Sequence, residues 1–405
     1  MKRMRTKRPP APNQDPKAHR RGVALVMVLV ITTIMGAVAA DLENEAQVNL
    51  KAAANARDEL QAHFHARSAL ELELFVLRFQ SQVKDTLGQF IPIPLFELSP
   101  MLVSSDTLRT IFSEEDEDSL FDEDPFDIQE PFGDFQGQFF IEEVVDENRK
   151  IDINSDSLGV GCENLMHLML GAIFDDPKYD ILFENLGQSR DPVRNRLDII
   201  AAMTDWADGN NTIDNVCILT NNSSPGTGIE QSNYTNLPYK ARYEPKNGMF
   251  TSLAELRMVP GVNDAFMNIF GKYFTVWGSG TSGISINTAE PWMLKAVIRA
   301  VMSRPWVPAD EERFEEFLLE KAVVTAVPGI ELEEESFRNL VEAAGFPVDE
   351  EQYGQMTQRG AIRFGDVSSV YRITSVGVVN DASVTMTVVW RDNRAAGEIY
   401  YWRED

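Results

Sequence analysis

The sequence predicts an α+β fold: one long N-terminal helix packed on a small antiparallel sheet, with a large, mainly helical domain inserted between the strands. Three observations point there. An uncharged apolar run at residues 23–40 flows without a break into a segment with helical periodicity. Strand-like stretches occur near residue 140 and again, three times over, in the last forty residues. Between them lie some two hundred residues of mostly helical character, which an insertion explains more simply than tandem domains do.

The chain has 405 residues and 43% hydrophobic content, enough for at least one sizeable core. The formal net charge is −26, and its sign is split along the chain. Residues 1–22 carry eight Lys and Arg against one acid, Asp15, so the remainder carries −33. A body so acidic repels phosphate backbones, which argues against nucleic acid as a partner and favours divalent cations and basic surfaces.

The run at 23–40 is 18 residues without a charge. As a helix it would span roughly 27 Å, close to the hydrocarbon thickness of a bilayer. The basic cluster before it should stay cytoplasmic, which places the acidic body on the far side of the membrane. A secretory signal peptide shares the basic start and apolar stretch, but it breaks after the apolar region. Here no proline occurs between Asp41 and Pro92. Leu42, Ala46, Ala53, Ala56, Leu60, Phe64, Leu70, Leu74 and Leu77 recur at spacings of mostly three, four and seven, which predicts an apolar stripe on one face of a helix running to about residue 80.

After the helix, residues 91–135 turn rich in Pro, Phe and acid, with eight acids between 114 and 124, a composition that suits a solvated insertion. Residues 138–145 (QFFIEEVV) read as a strand, and 150–155 as an alternating stretch that ends in helix-capping chemistry. Helical segments dominate from 158 to about 351. Residues 369–376, 383–390 and 398–402 then read as three antiparallel strands joined by Asn-Asp and Asp-Asn turns. Cys162 and Cys217 allow one disulfide in an oxidising compartment or two buried thiols.

Asp205, Asp208, Asn210, Asn211 and Asp214 crowd five oxygen-bearing side chains into ten residues around a glycine. Hard oxygen donors on such a loop suit Ca²⁺, although the spacing is not that of an EF-hand, and a solvated loop has the same composition. Residues 278–283 (GSGTSG) satisfy the dinucleotide fingerprint G-x-G-x-x-G, yet the extended-looking Ile284-Ser285-Ile286 follows where a helix is required, so a glycine turn between short strands is expected. Residues 256–262 and 326–330 look like hairpins of helix-hairpin-helix modules. Glu331, Glu333, Glu334 and Glu335 follow the second, which would repel phosphate, so both are expected to be helix packing. The chain holds no H-E-x-x-H, P-loop or nucleophile elbow, and its four histidines (His19, His63, His65, His167) form no evident catalytic group; no enzyme is expected.

Arg20-Arg21-Gly22 before an apolar run that continues as a long helix resembles type IV prepilins and type II secretion pseudopilins. That resemblance implies cleavage between Gly22 and Val23 by a prepilin peptidase, with methylation, and a pilin-like body. Most of the superfamily has Glu as the fifth residue after the cut; here it is Met27, and no acid occurs between the cut and Asp41. This absence resembles the K-type minor pseudopilins (general secretion pathway protein K family). So does an ordered series of segments: Asp205-Trp206-Ala207-Asp208-Gly209-Asn210, then 252–262, 273–280 and 284–289.

The resemblance implies a leader at 1–22, a transmembrane segment at 23–40 and the periplasmic part of the long helix at 41–80. It further implies a body begun at 81–152, an inserted helical domain at 153–362 and C-terminal strands at 363–405. It implies residence in the inner membrane as a single-pass protein with a periplasmic body, and I- and J-type minor pseudopilins as partners through the N-terminal helix. The role implied is at the tip of the pseudopilus, initiating or capping its assembly for protein export. It also implies calcium bound in the helical domain, matched at Asp205, Asp208 and Asn210, with Glu230, just before Tyr234, as a further candidate ligand from the neighbouring loop. A minor pilin of a type IV pilus would show the same N-terminus.

Overall fold

The computed structural model describes residues 16–87, 95–113, 136–154, 165–184, 186, 192–216, 225–234, 243–278, 284–325, 331–358, 360–364, 369–393 and 397–405. Cys162, Cys217, the acidic run at 114–124 and the segments 279–283 and 326–330 fall outside them.

The absence of Pro and the sequence of good helix formers produce one uninterrupted helix, α1 (Pro16–Leu87), of 72 residues. Its apolar stretch, residues 23–40, is exposed throughout, so this helix is long and apolar enough to cross a membrane. Its last third is the spine of a small body.

The predicted single stripe on α1 resolves into two faces. Leu70, Leu74 and Leu77 are buried, whereas Leu42, Ala46, Ala53, Ala56, Leu60 and Phe64 are exposed. At about 100° per residue, the six-residue step from Phe64 to Leu70 turns by about 240°, which carries the pattern around the helix. The buried face is instead Ala62, Ala66, Ala69, Leu70, Leu74 and Leu77. The opposite face carries Leu60 and Phe64 together with Phe75 and Phe79, whose rings stack at 6.2 Å.

The buried face lies on a four-stranded antiparallel sheet of β1 (Gln138–Asp146), β2 (Val370–Val379), β3 (Ala382–Arg391) and β4 (Glu398–Glu404), in that spatial order. Strands β2 and β3 form a tight hairpin across Asn380 and Asp381, and Asn380 takes the left-handed φ of 51° that such turns require. Strand β4 is preceded by Gly397, which packs on the Trp390 indole. Both edge strands carry a register shift, β1 at Ile141/Glu143 and β4 at Ile399/Tyr401, which blunts them against further pairing.

Small residues set the distance between helix and sheet. Gly377 of β2 lies against the α1 backbone, where a β-carbon would overlap the Ala62 carbonyl oxygen and the Ala66 amide nitrogen. Towards one end Ala62 and Ala66 pack on Val379, Val384 and Met386. Towards the other, Leu70, Leu74 and Leu77 pack with Phe139, Ile141, Tyr371, Ile373 and Trp390. Asp58 accepts a 2.8 Å hydrogen bond from the Asn380 side chain, tying the hairpin tip to α1. The helix Leu95–Leu102 covers the flank of α1 over β1, with Phe96 and Val103 in the same core.

The chain leaves the sheet at Asp146 and returns at Val370, which are neighbours because Asp146 pairs with Tyr371. One side chain fixes this junction: Asn148 Oδ1 accepts from the amides of Ser369 (3.0 Å) and Val370 (2.9 Å). Between these points lies a mainly helical part with its own apolar core, in which Phe174, Phe266, Phe270 and Phe274 pack together. Two partly buried asparagines act there as pieces of strand. Asn154 bonds both backbone groups of Phe250 and the Val276 carbonyl, and Asn287 bonds both backbone groups of Leu332 and the Phe364 carbonyl. Ile284–Ser285 is a short strand paired in parallel with Ile362–Arg363, so no helix opens after the glycine run. The segment 253–270 is a 3-10 turn (Leu253–Met258) and a helix (Asp264–Phe270) turned at Gly261, whose left-handed φ of 87° and contact with Ile199 explain the glycine.

Candidate metal centre

The acidic loop grows out of one helix end. Arg196–Ala207 starts with a capping box in which Asn195 and Asp198 exchange hydrogen bonds with each other's backbone. Asp198 also accepts from Thr227 N at 2.8 Å, which pins the ribbon Gly226–Thr227 to the helix start. That ribbon pairs with Asn215–Val216, and the Gly228 amide continues the pairing to the Asp214 carbonyl at 2.9 Å. Two segments distant in sequence thereby meet at the helix C-terminus, where the exposed carbonyl ends favour a cation.

One carboxylate oxygen from each of Asp205, Asp208 and Asp214 lies within 4.8 Å of the others. Asp205 is 0% exposed; its Oδ1 accepts from Asp214 N at 2.8 Å, while Oδ2 has no hydrogen-bond partner. Glu230, 4% exposed, likewise leaves Oε1 unpartnered while Oε2 accepts from Gln231 N at 3.3 Å. Burial pushes the Asp205 carboxyl up to about 7, and the negative fields of Asp214 and Glu230 add to the rise. Glu230 is raised by burial and by Asp208 and Asp214. Gly228 makes room: a β-carbon there would overlap Asp205 Oδ2. Buried carboxylate oxygens without a hydrogen-bond partner are costly alone, and three carboxylates that converge suit a hard divalent ion, so Asp205, Asp208 and Asp214 fit calcium, whereas the predicted Glu230 lies outside that convergent group.

Of the predicted residues, Asp205 and Asp208 converge, and the field of Glu230 acts on Asp205. Asn210 stands beside Asp208 but is engaged within the loop: its Nδ2 donates to Asp208 Oδ2 (2.5 Å) and its Oδ1 accepts from Thr212 N (2.6 Å). Asn211 Oδ1 accepts from Asn247. Asp214, one of the five oxygen-bearing residues but outside the predicted ligand set, joins the carboxylate group. The paired ribbon brings it there, and only the glycines at 226 and 228 hint at that in the sequence. Behind the carboxylates, Trp206 stands 5.9 Å from Tyr234 ring to ring. Tyr234, buried and near Asp205 and Glu230, has its phenol pushed up, by burial first. The predicted processing pair Gly22 and Val23 lies within α1, with Val23 exposed.

No family model matches the chain, and no curated protein does. Among solved structures, it is similar to a chain in the crystal structure of the GspK-GspI-GspJ complex from the type 2 secretion system of enterotoxigenic Escherichia coli, with 16% identity, a TM-score of 0.41 and coverage of 67% of this chain and 80% of that one.

Proposed function

We propose that this chain is a K-type minor pseudopilin of a type II secretion system, a tip subunit that starts or caps the pseudopilus during protein export across the outer membrane. It is made with a leader, cut between Gly22 and Val23, and held in the inner membrane by 23–40 with its body in the periplasm. The observation that carries this is α1. From residue 23 to residue 40 it is bare and without charge, and its last third is the core of an α+β body. With Met27 at the fifth position after the cut, the segment lacks the carboxylate that would neutralise a neighbour's N-terminus in an apolar filament core. A subunit with nothing above it has no use for one.

Two further features support this function. The exposed stripe of Leu42, Leu50, Leu60, Phe64, Phe75 and Phe79 offers I- and J-type partners a surface for their own helices. Each such side chain buried there contributes about 1.5–3 kcal/mol. The helical part departs where Asp146 meets Tyr371, whereas Ala62 and Ala66 mark the end of the body nearer the membrane. Its bulk is thus carried away from the bilayer, where no subunit must stack. The carboxylates Asp205, Asp208 and Asp214 with Glu230 would hold Ca²⁺, whose charge would pin the 226–230 segment to the helix end. Replacing Gly22 by Val tests the assignment: processing by a prepilin peptidase, followed as a mobility shift on a gel, should stop. Unchanged cleavage would remove it.

A further inference from the structure

One carboxyl lies inside the apolar contact between α1 and the rest of the body. Glu73 is 0% exposed and sits on α1 among Ala69, Leu70, Leu74 and Leu77. Its Oε1 is 2.7 Å from Ser99 Oγ on the flanking helix Leu95–Leu102, and its Oε2 has no hydrogen-bond partner. Among the described residues the charged groups on the surrounding elements are engaged elsewhere. Arg149 holds Glu97 of that helix and Asp146 of β1, while Arg372 of β2 holds Glu143 and Glu147. Lys150 also pairs with Glu147, Arg67 with Glu71 on α1, and Arg78 of α1 lies over the Trp390 ring of β3.

Counting protons decides the form of this group. Ser99 Oγ is also 2.9 Å from the Phe96 carbonyl. A hydroxyl has one proton, so a Glu73 carboxylate and that carbonyl would compete for it, and a charge would sit in the core with at most one donor. A neutral Glu73 makes both bonds: its O–H donates to Ser99 Oγ, and Ser99 donates to Phe96 O. We propose that Glu73 is a protonation-dependent latch: as the neutral acid it fastens the helix Leu95–Leu102 to α1, and losing its proton releases that helix. Burial agrees, pushing the carboxyl up to about 7 from an ordinary 4.5.

The sign follows. The closed form binds the proton more tightly than an open form with Glu73 in water. The latch is therefore firm below pH 4.5, weakens by up to about tenfold per pH unit as pH rises towards 7, and levels off above that. Amide hydrogen exchange over 95–103 in the full chain in detergent micelles, corrected for intrinsic exchange between pH 5 and 8, tests it. In the wild type, protection should fall with that slope and then level. Glu73→Gln should be flat with the helix still closed, and Ser99→Ala should keep the slope with its midpoint moved down, because the neutral acid has lost its acceptor. The same slope in Glu73→Gln, an equal fall across β2 and β3, or a midpoint raised by Ser99→Ala would overturn the latch.

Discussion

Replacing Gly377 by Ala should unseat α1 from the sheet. The added β-carbon would overlap the Ala62 carbonyl oxygen and the Ala66 amide nitrogen and come within 2.9 Å of the His65 β-carbon. Comfortable carbon contacts lie at about 3.5–4.0 Å, so α1 must retreat by the order of 1 Å there. Two of the obstructing atoms are backbone, and no rotamer change relieves them. The retreat loosens Ala62 and Ala66 against Val379, Val384 and Met386, and a gap of about 1 Å forfeits up to roughly half of each contact's attraction. We expect a loss at the upper end of the usual overpacking range, about 3 kcal/mol. Urea unfolding of the full chain in detergent, read by Trp fluorescence, measures it. Gly354 supplies the internal control: it lies within the helix Glu350–Gln358 with nothing within 4 Å of a built β-carbon, so Gly354→Ala should stabilise by about 0.5–1 kcal/mol. If Gly377→Ala costs no more than about 0.5 kcal/mol, the close approach does not set the helix–sheet distance.

Calorimetry with Ca²⁺ and a chelator should show binding to the wild type, with Asp205→Asn at least about tenfold weaker, and absence of any wild-type binding would defeat the metal proposal. Without the ion, Asp205 held at about 7 against an ordinary 3.8 makes stability greatest in acid, lost as pH rises through 7, and Ca²⁺ should abolish that loss in thermal melts. Asp310 has the opposite sign. Arg304 holds its carboxyl down at about 2, with Arg313 also bonded, so its contribution is complete above pH 3.8 and disappears as pH falls through 2. Asp310→Asn should lower the melting temperature at pH 5 and flatten its acid dependence; an unchanged melt would show the two ion pairs to be neutral for stability.

Much of this protein is written locally. The continuity of α1 follows from good helix formers and the missing prolines, and the β2–β3 hairpin follows from alternating Val, Thr and Tyr around Asn380 and Asp381. Such signals need only neighbours in sequence. The two faces of α1 were not legible, because apolar residues on both sides of a helix blur into one stripe when spacings alone are read. At the candidate centre, Asp205 and Asp208 announced themselves by crowding. Asp214 became a neighbour through a short ribbon, and Asn210 was turned to the loop's own backbone.

A basic start, an apolar span from 23 to 40, a long helix and four strands in order can all be read along the chain. Which side of α1 meets the sheet, the pairing of β1 with β2 across the helical part, and the enclosure of Glu73 beside Ser99 emerge in the folded chain alone. The difference is one of range. Propensity and turn chemistry act over a few residues, whereas burial and the meeting of charges depend on chain closure over tens to hundreds of residues, which no local pattern encodes.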